Sequence, residues 1–144
     1  MRTIALPFIS LLLAFALIGC SQEENRSYDD GIYRGDFFDK GKMEVNVQFT
    51  LQSNVVRNIS FRYLAYKDVD YLESDAEKSL IVRQQHQELA EYLKGKEVRQ
   101  SLDALYGPDA IIKNEADGLT GATIRSGKVL SALRDGLNRG VYRR

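Results

Sequence analysis

Two stretches of strict alternation constrain this chain more than any other feature. Val45, Val47, Phe49 and Leu51 alternate with Glu44, Asn46, Gln48 and Thr50. Ile59, Phe61, Tyr63 and Ala65 alternate with Asn58, Ser60 and Arg62. A period of two sends every second side chain to the same face of a strand. Ser53-Asn54, between the runs, are residue types suited to a tight turn. The pair predicts an antiparallel hairpin with one apolar face. Upstream, "GIYRGDFF" sets Tyr33, Gly35 and Phe37 on one face, and "DKGK" supplies another turn. Three strands in a meander are expected, and Gly35 within the first predicts a bulge or the close approach of another group.

The period changes after residue 73. Ser74 and Glu77 match the S-x-x-E capping pattern. Val82, His86, Leu89 and Leu93 recur on one helical face, with Gly95 as the stop. Val98, Leu102 and Leu105 predict a shorter helix ended by Gly107-Pro108. Ile111-Ile112 reads as a short strand, and Val129, Leu130, Leu133 and Leu137 form the buried stripe of a last helix. Strands followed by helices predict an α+β fold: an antiparallel sheet, a β-meander, packed with two to three helices.

The N-terminus reads as a targeting segment rather than as part of this fold. Met1-Arg2 is followed by an apolar run over residues 4–18, broken only by Pro7 and Ser10. At about 15 residues it is shorter than the ~20 that span a bilayer, and it suits the core of a signal peptide. Leu17-Ile18-Gly19-Cys20 resembles a bacterial lipobox, in which cleavage precedes a cysteine whose thiol is lipidated. The resemblance implies a signal peptide over residues 1–19 and a lipid anchor on Cys20, holding the protein to a membrane on the exported, periplasmic side. Ser21 stands where an Asp signals inner-membrane retention, which leans toward the outer membrane. Cys20 is the one cysteine, so its lipidation leaves no thiol for a disulfide, a metal or catalysis. Residues 20–30 read as a polar tether and residues 31–144 as one domain. Lys+Arg and Asp+Glu both number 20, so no basic excess argues for nucleic acid.

Few side chains suggest chemistry. His86 is the single histidine. It could act as a proton shuttle or ligand, but without a second His or an available Cys it completes no transition-metal site, and packing beside Val82 and Leu89 is the favoured account. Asp29-Asp30 and Asp68-Val69-Asp70 lack the spacing of a calcium loop and read as solvated charge. Tyr33, Tyr63, Tyr66 and Tyr71 crowd the sheet and the segment after it. They suit a flat cofactor, although packing is the simpler explanation.

The densest candidate is "DGLTGATIRSGK", residues 117–128. Gly118 and Gly121 relax the backbone. Thr120, Thr123 and Ser126 are candidate N-caps for the last helix, whose N-terminus could also receive a phosphate. Arg125 and Lys128 could add positive charge. On physical grounds alone a helix cap is favoured over a phosphate site.

Asp117-Gly118-Leu119-Thr120-Gly121-Ala122-Thr123 closely resembles the D-x-x-[ST]-G-A-T motif of the bacterial FMN-binding domain, and "DGIYRG" near residue 30 resembles that domain's opening. The family includes a subunit of sodium-pumping quinone reductase and small lipoproteins. The resemblance implies FMN held covalently through a phosphoester to Thr123. It implies further that Asp117, Thr120, Gly121 and Ala122 form the recognition core and that Ser126 is the hydroxyl three positions on. A magnesium-dependent flavin transferase would supply FMN from FAD, and a membrane or periplasmic redox partner would exchange electrons with it. No catalytic acid, base or nucleophile for turnover and no metal ligand is expected. The chain departs from the family where "AYKDVDYLESD" replaces a Glu-Thr-Pro segment and where Arg125 replaces a common Thr. The alternative expectation is a membrane-anchored binding or structural lipoprotein with noncovalent flavin or none.

Overall fold

The computed structural model describes residues 27–113 and 118–144. The expectations for the signal peptide, for Cys20, for the tether up to residue 26 and for Asp117 lie outside the described residues, as do the side chains of residues 118–120.

Three tight hairpins build the sheet. β1 (Gly31–Asp39), β2 (Lys42–Gln52), β3 (Val55–Tyr66) and β4 (Val69–Asp70) pair in that order, each antiparallel to the next. Each connection has two residues at positive φ: Lys40 and Gly41 at 47° and 78°, Ser53 and Asn54 at 51° and 61°, Lys67 and Asp68 at 47° and 63°. Two consecutive positive φ values give the turn whose twist matches that of the flanking strands. β4 is absent from the sequence reading because two residues show no period. Asp70, read there as loop charge, pairs with Ala65. Its carboxylate accepts a 2.8 Å hydrogen bond from the Leu72 N–H, turning the chain out of the sheet.

The inner face of β2 follows its alternation: Val45, Val47, Phe49 and Leu51 are all buried. β3 keeps its alternation only in part. Its register slips opposite Asn46/Val47, where Tyr63 pairs with Asn46 but Phe61, not Arg62, pairs with Val47. A bulged residue reverses which face later side chains take, so Leu64, opposite Val45, is buried and Tyr63 is not.

α3 (Gly118–Arg139) crosses the inner face against β1. Gly35 makes this approach possible, since a Cβ there would lie 1.8 Å from the Ala132 carbonyl oxygen. Gly136 makes the reciprocal contact, its own Cβ position lying 3.1 Å from the Arg34 carbonyl carbon. The close approach expected at Gly35 is thus made by α3, while the β1 bulge falls at Phe37/Phe38. Val129, Leu130, Leu133 and Leu137 are buried, as their stripe requires. Arg139 pins the far end of α3, bonding Asp36 at 2.8 Å and Asp135 at 2.7 Å.

α1 (Glu77–Leu93) buries Val82, His86, Leu89 and Leu93. Its cap differs from the expectation. Ala76 is the N-cap and no side chain caps the helix, and Ser74 Oγ reaches only the Ala76 N–H, at 3.4 Å. Gly95, at φ 81°, follows the last turn as expected. α2 (Val98–Asp103) is capped by Glu97, whose carboxylate accepts from the Gln100 N–H at 2.9 Å. Single 3-10 turns follow at Ala104–Tyr106 and Pro108–Ala110. Ile111 and Ile112 form no strand; both are buried and both donate their N–H groups to the Pro108 carbonyl. The fold is α+β, a four-stranded antiparallel meander packed against three helices.

Candidate functional site

A cavity of about 240 Å³ lies where the sheet, α1 and the first turns of α3 meet. β2 contributes Glu44 and Val45, and β3 contributes Leu64, Ala65 and Tyr66. Tyr71 comes from the segment after β4 and His86 from α1. Gly121, Ile124, Arg125 and Lys128 come from α3, and a helical repeat of about 3.6 residues sets them on one face. The β3 bulge matters here, because it turns Leu64 inward to floor the cavity.

The lining mixes aliphatic residues, Val45, Leu64, Ala65 and Ile124, with the polar side chains of Glu44, Tyr66, Tyr71, His86, Arg125 and Lys128. Lys128 Nζ forms an ion pair with the buried Glu44 carboxylate and lies 4.6 Å from the centre of the Tyr66 ring. Such a pair holds its geometry because separating it would leave a buried charge uncompensated. Arg125 Nη1 donates to Gln85 Oε1 at 2.8 Å, joining α3 to α1. His86 packs edge-on against Phe61, ring centres 5.2 Å apart. Its Nδ1 lies 2.7 Å from the Val82 carbonyl oxygen. A carbonyl only accepts, so Nδ1 carries the proton and a neutral ring leaves Nε2 as a lone-pair acceptor. Burial pushes the His86 pKa down to about 4; the Val82 hydrogen bond opposes this, and the Arg125 and Lys128 charges add to it. His86 is therefore uncharged at neutral pH.

The motif residues divide between faces of α3. Thr120, Thr123 and Ser126 all lie within the helix rather than ahead of it, so Thr123 and Ser126 are not its caps. Gly121 borders the cavity and Ala122 is buried against the core. Ser126 is wholly buried and donates to the Leu105 carbonyl at 2.6 Å, so its hydroxyl fastens α3 to the 3-10 turn. Thr123 is exposed. At about 100° per residue its side chain stands roughly opposite those of Gly121 and Arg125, and it is not part of the cavity wall.

The tyrosines separate in the same way. Tyr33 belongs to the core, stacked on Phe49 with ring centres 5.3 Å apart and its hydroxyl donating to the Asp29 carbonyl. Tyr66 and Tyr71 border the cavity. Tyr63 borders a neighbouring surface hollow that shares Glu44, Ala65 and Tyr66 with it. Sequence reasoning missed Glu44, which occupies an outward position in the β2 alternation, and it favoured packing alone for His86. Nothing in the local pattern marks either residue, because the cavity exists only once α3 lies over the sheet.

The side chains present fit a flavin in part. Aliphatic walls from Val45, Leu64 and Ile124, two tyrosines and two cations suit a flat, electron-poor ring. At about 240 Å³ the cavity is smaller than the ~300–1,000 Å³ of most ligand sites. No protein-family model, no curated protein and no solved structure matches the chain.

Proposed function

We propose that this protein is an exported, lipid-anchored flavoprotein that carries electrons through FMN attached by a phosphoester to Thr123. One observation carries the reading. The exposed Thr123 sits in the same turns of α3 whose Gly121, Ile124, Arg125 and Lys128 wall a ring-sized cavity bordered by two tyrosines. FMN supplies the redox chemistry, accepting one or two electrons. Thr123 is the attachment hydroxyl. Gly121 and Ala122 keep side-chain bulk away from it, giving a flavin transferase access. Tyr66, Tyr71 and the aliphatic walls hold the ring, while Arg125 and Lys128 offset negative charge on it. During maturation Thr123 Oγ forms the new bond to phosphorus, the pyrophosphate bond of FAD breaks, AMP departs, and the hydroxyl proton passes to the transferase.

A covalent link has a physical rationale outside the cytoplasm, where a dissociated cofactor is diluted away. Electrons would pass to a membrane or periplasmic redox partner within reach of the tether, and the Cys20 anchor would confine that search to a surface. Coexpression with a flavin transferase, followed by denaturation and intact mass, tests the attachment. The expected result is one FMN added with loss of water, abolished by Thr123→Val in a chain that still folds. An unmodified wild-type chain under those conditions would overturn it.

A second reading, flavin held noncovalently in a lipid-anchored binding module, is favoured by one specific observation. Thr123 lies on the opposite side of α3 from the cavity wall. Flavin bound by the wild-type chain but released on denaturation decides for this reading.

A further inference from the structure

Two arginines stand together on the face of the sheet turned away from α1 and α3. Arg34 on β1 pairs in register with Gln48 on β2, and Gln48 with Ser60 on β3. Gln48 Oε1 accepts from Arg34 Nε at 2.8 Å and from Arg62 Nη1 at 3.3 Å, which puts the two donor nitrogens within about 6 Å of each other. Neither guanidinium has an ion-pair partner among the described residues. The acid on the same face, Asp36, is taken by Asn46 and Arg139. Asp29 and Asp30 precede β1, and Arg143 and Arg144 follow Tyr142. The side chains at the two chain ends therefore balance and leave the charge of Arg34 and Arg62 standing. One neutral oxygen does not offset two guanidiniums, and each keeps N–H groups over. Two such forks side by side complement the oxygens of a phosphate.

Apolar side chains border the pair. Ile32 is 43% exposed and Tyr142 is 40% exposed. The Tyr142 N–H donates to the Ile32 carbonyl at 2.7 Å, and the Tyr142 ring centre lies 3.8 Å from Arg34 Cζ. A free phosphate gains nothing from such a border, whereas a lipid presents phosphate next to hydrocarbon. Tyrosine and arginine both suit that depth, with apolar bodies and polar tips. The tether leads to the same place. Residues 20–26 span at most about 25 Å, and Arg34 lies about 10 Å along β1 from its start at Gly31. We propose that this face docks on the membrane, with Arg34 and Arg62 holding the phosphate of an anionic phospholipid and Ile32 and Tyr142 resting among the head groups. The inference goes beyond the flavin reading and rests on the Cys20 anchor only to bring the domain to the surface. Docked in this way, the sheet lies between bilayer and α3. The side that carries the cavity then faces away from the membrane, toward a partner in solution.

The test uses the full lipidated chain in bilayers of two parts phosphatidylcholine to one part phosphatidylglycerol, with a trace of gadolinium-chelating lipid that broadens amide NMR signals near the head groups. Broadening is expected to be strongest at Ile32, Arg34, Arg62 and Tyr142 and slight at Thr123, and the contrast should weaken as salt rises. Replacing both arginines, Arg34→Gln with Arg62→Gln, should even out the pattern, since each arginine is worth about fivefold at an anionic surface. Should the double variant not fold, the salt titration of the wild type stands alone. Even broadening all round, which is what an acidic protein partner for this face predicts, overturns the docking inference. So does broadening centred on α3, or an unchanged pattern in the double variant. Inorganic phosphate that shifts the Arg34 and Arg62 Nε signals as fully as the bilayer does makes free phosphate the ligand and overturns it too. Intact mass reports the anchor separately. A chain without lipid on Cys20 that still sediments with these vesicles, and does so through the two arginines, keeps the docking inference and overturns the anchor reading. A chain that neither carries lipid nor sediments overturns both.

Discussion

Single residues in this protein often serve the core and the cavity at once, and His86 shows it best. The side chain packs on Phe61, bonds Val82 and borders the cavity, all while uncharged. Its pKa falls from the ordinary 6.5 to about 4 on folding. Above pH 6.5 the imidazole is neutral in both folded and unfolded chains and contributes no pH dependence. Between 6.5 and about 4 the unfolded chain takes a proton that the folded one refuses, so stability falls as pH falls, by on the order of 3 kcal/mol in full. Chemical denaturation at pH 7.5, 5.5 and 4 should show this loss for the wild type and a smaller one for His86→Phe. The groups facing the ring from other elements, Glu44 on β2 and Arg125 and Lys128 on α3, are common to both chains, so the difference isolates His86. The α3 hydroxyls make a second contrast. Ser126→Ala leaves the buried Leu105 carbonyl without its 2.6 Å donor and should cost about 1–3 kcal/mol. Thr123→Val alters an exposed position and should cost no more than about 1 kcal/mol, the scale of one ordinary hydrogen bond, while removing any FMN adduct. Urea melts of the two variants, with intact mass after transferase coexpression, check both statements. A large stability loss in Thr123→Val would show that the residue is structural rather than an attachment point.

At the scale of elements, β1 and α3 meet through glycine. Gly35→Ala would place a methyl group 1.8 Å from the Ala132 carbonyl, a backbone atom that moves only if α3 lifts. Overpacking typically costs about 1–3 kcal/mol and occasionally more, and this contact belongs at the upper end. A matched substitution at Gly41, where the added Cβ has nothing within 4 Å, separates the clash from glycine's backbone freedom, because Gly41 has φ 78° and Gly35 has an ordinary extended φ. Thermal melts should rank Gly35→Ala well below Gly41→Ala. The same elements show what local sequence carries. The β2 alternation is complete in Val45, Val47, Phe49 and Leu51, and the α1 and α3 stripes are legible because a buried face leaves a period. β3 is legible only between its two register slips, since those at Arg57 and Arg62 depend on pairing with β2 and leave no mark in its own residues. The expected cap at Ser74 and strand at Ile111-Ile112 rest on patterns two to four residues long, which tertiary contacts readily override. The motif stands out in composition, yet its division into a cavity face, a core face and an exposed Thr123 follows from the helix phase.

The whole molecule converges on the cavity, because β2, β3, α1, α3 and the segment after β4 all supply part of its wall. A ligand seated there touches each layer and cannot bind while any of them is detached. Binding should therefore stabilise the whole fold rather than one element. At a free concentration about a hundredfold above its dissociation constant, a ligand binding only the folded state adds about 2.7 kcal/mol. For a domain of this size that raises the melting temperature by about 10 °C. Lumiflavin, a flavin ring without the phosphate chain, should produce such a shift under the flavin reading. The readouts distinguish a cavity ligand from a surface one. Far-ultraviolet circular dichroism reports the helices, and near-ultraviolet signals report tyrosines, including Tyr33 in the core and Tyr66 and Tyr71 at the cavity. If the ligand bridges all layers, both transitions move together and remain coincident, as a two-state unfolding requires. A flavin that moves the tyrosine transition and leaves the helical one in place binds outside the junction of sheet, α1 and α3, and the cavity is then not its site. The same comparison on the FMN-loaded chain tests the covalent reading at molecular scale. A tethered ring has a fixed effective concentration, so its stabilisation should not change on dilution, whereas that from lumiflavin should decline.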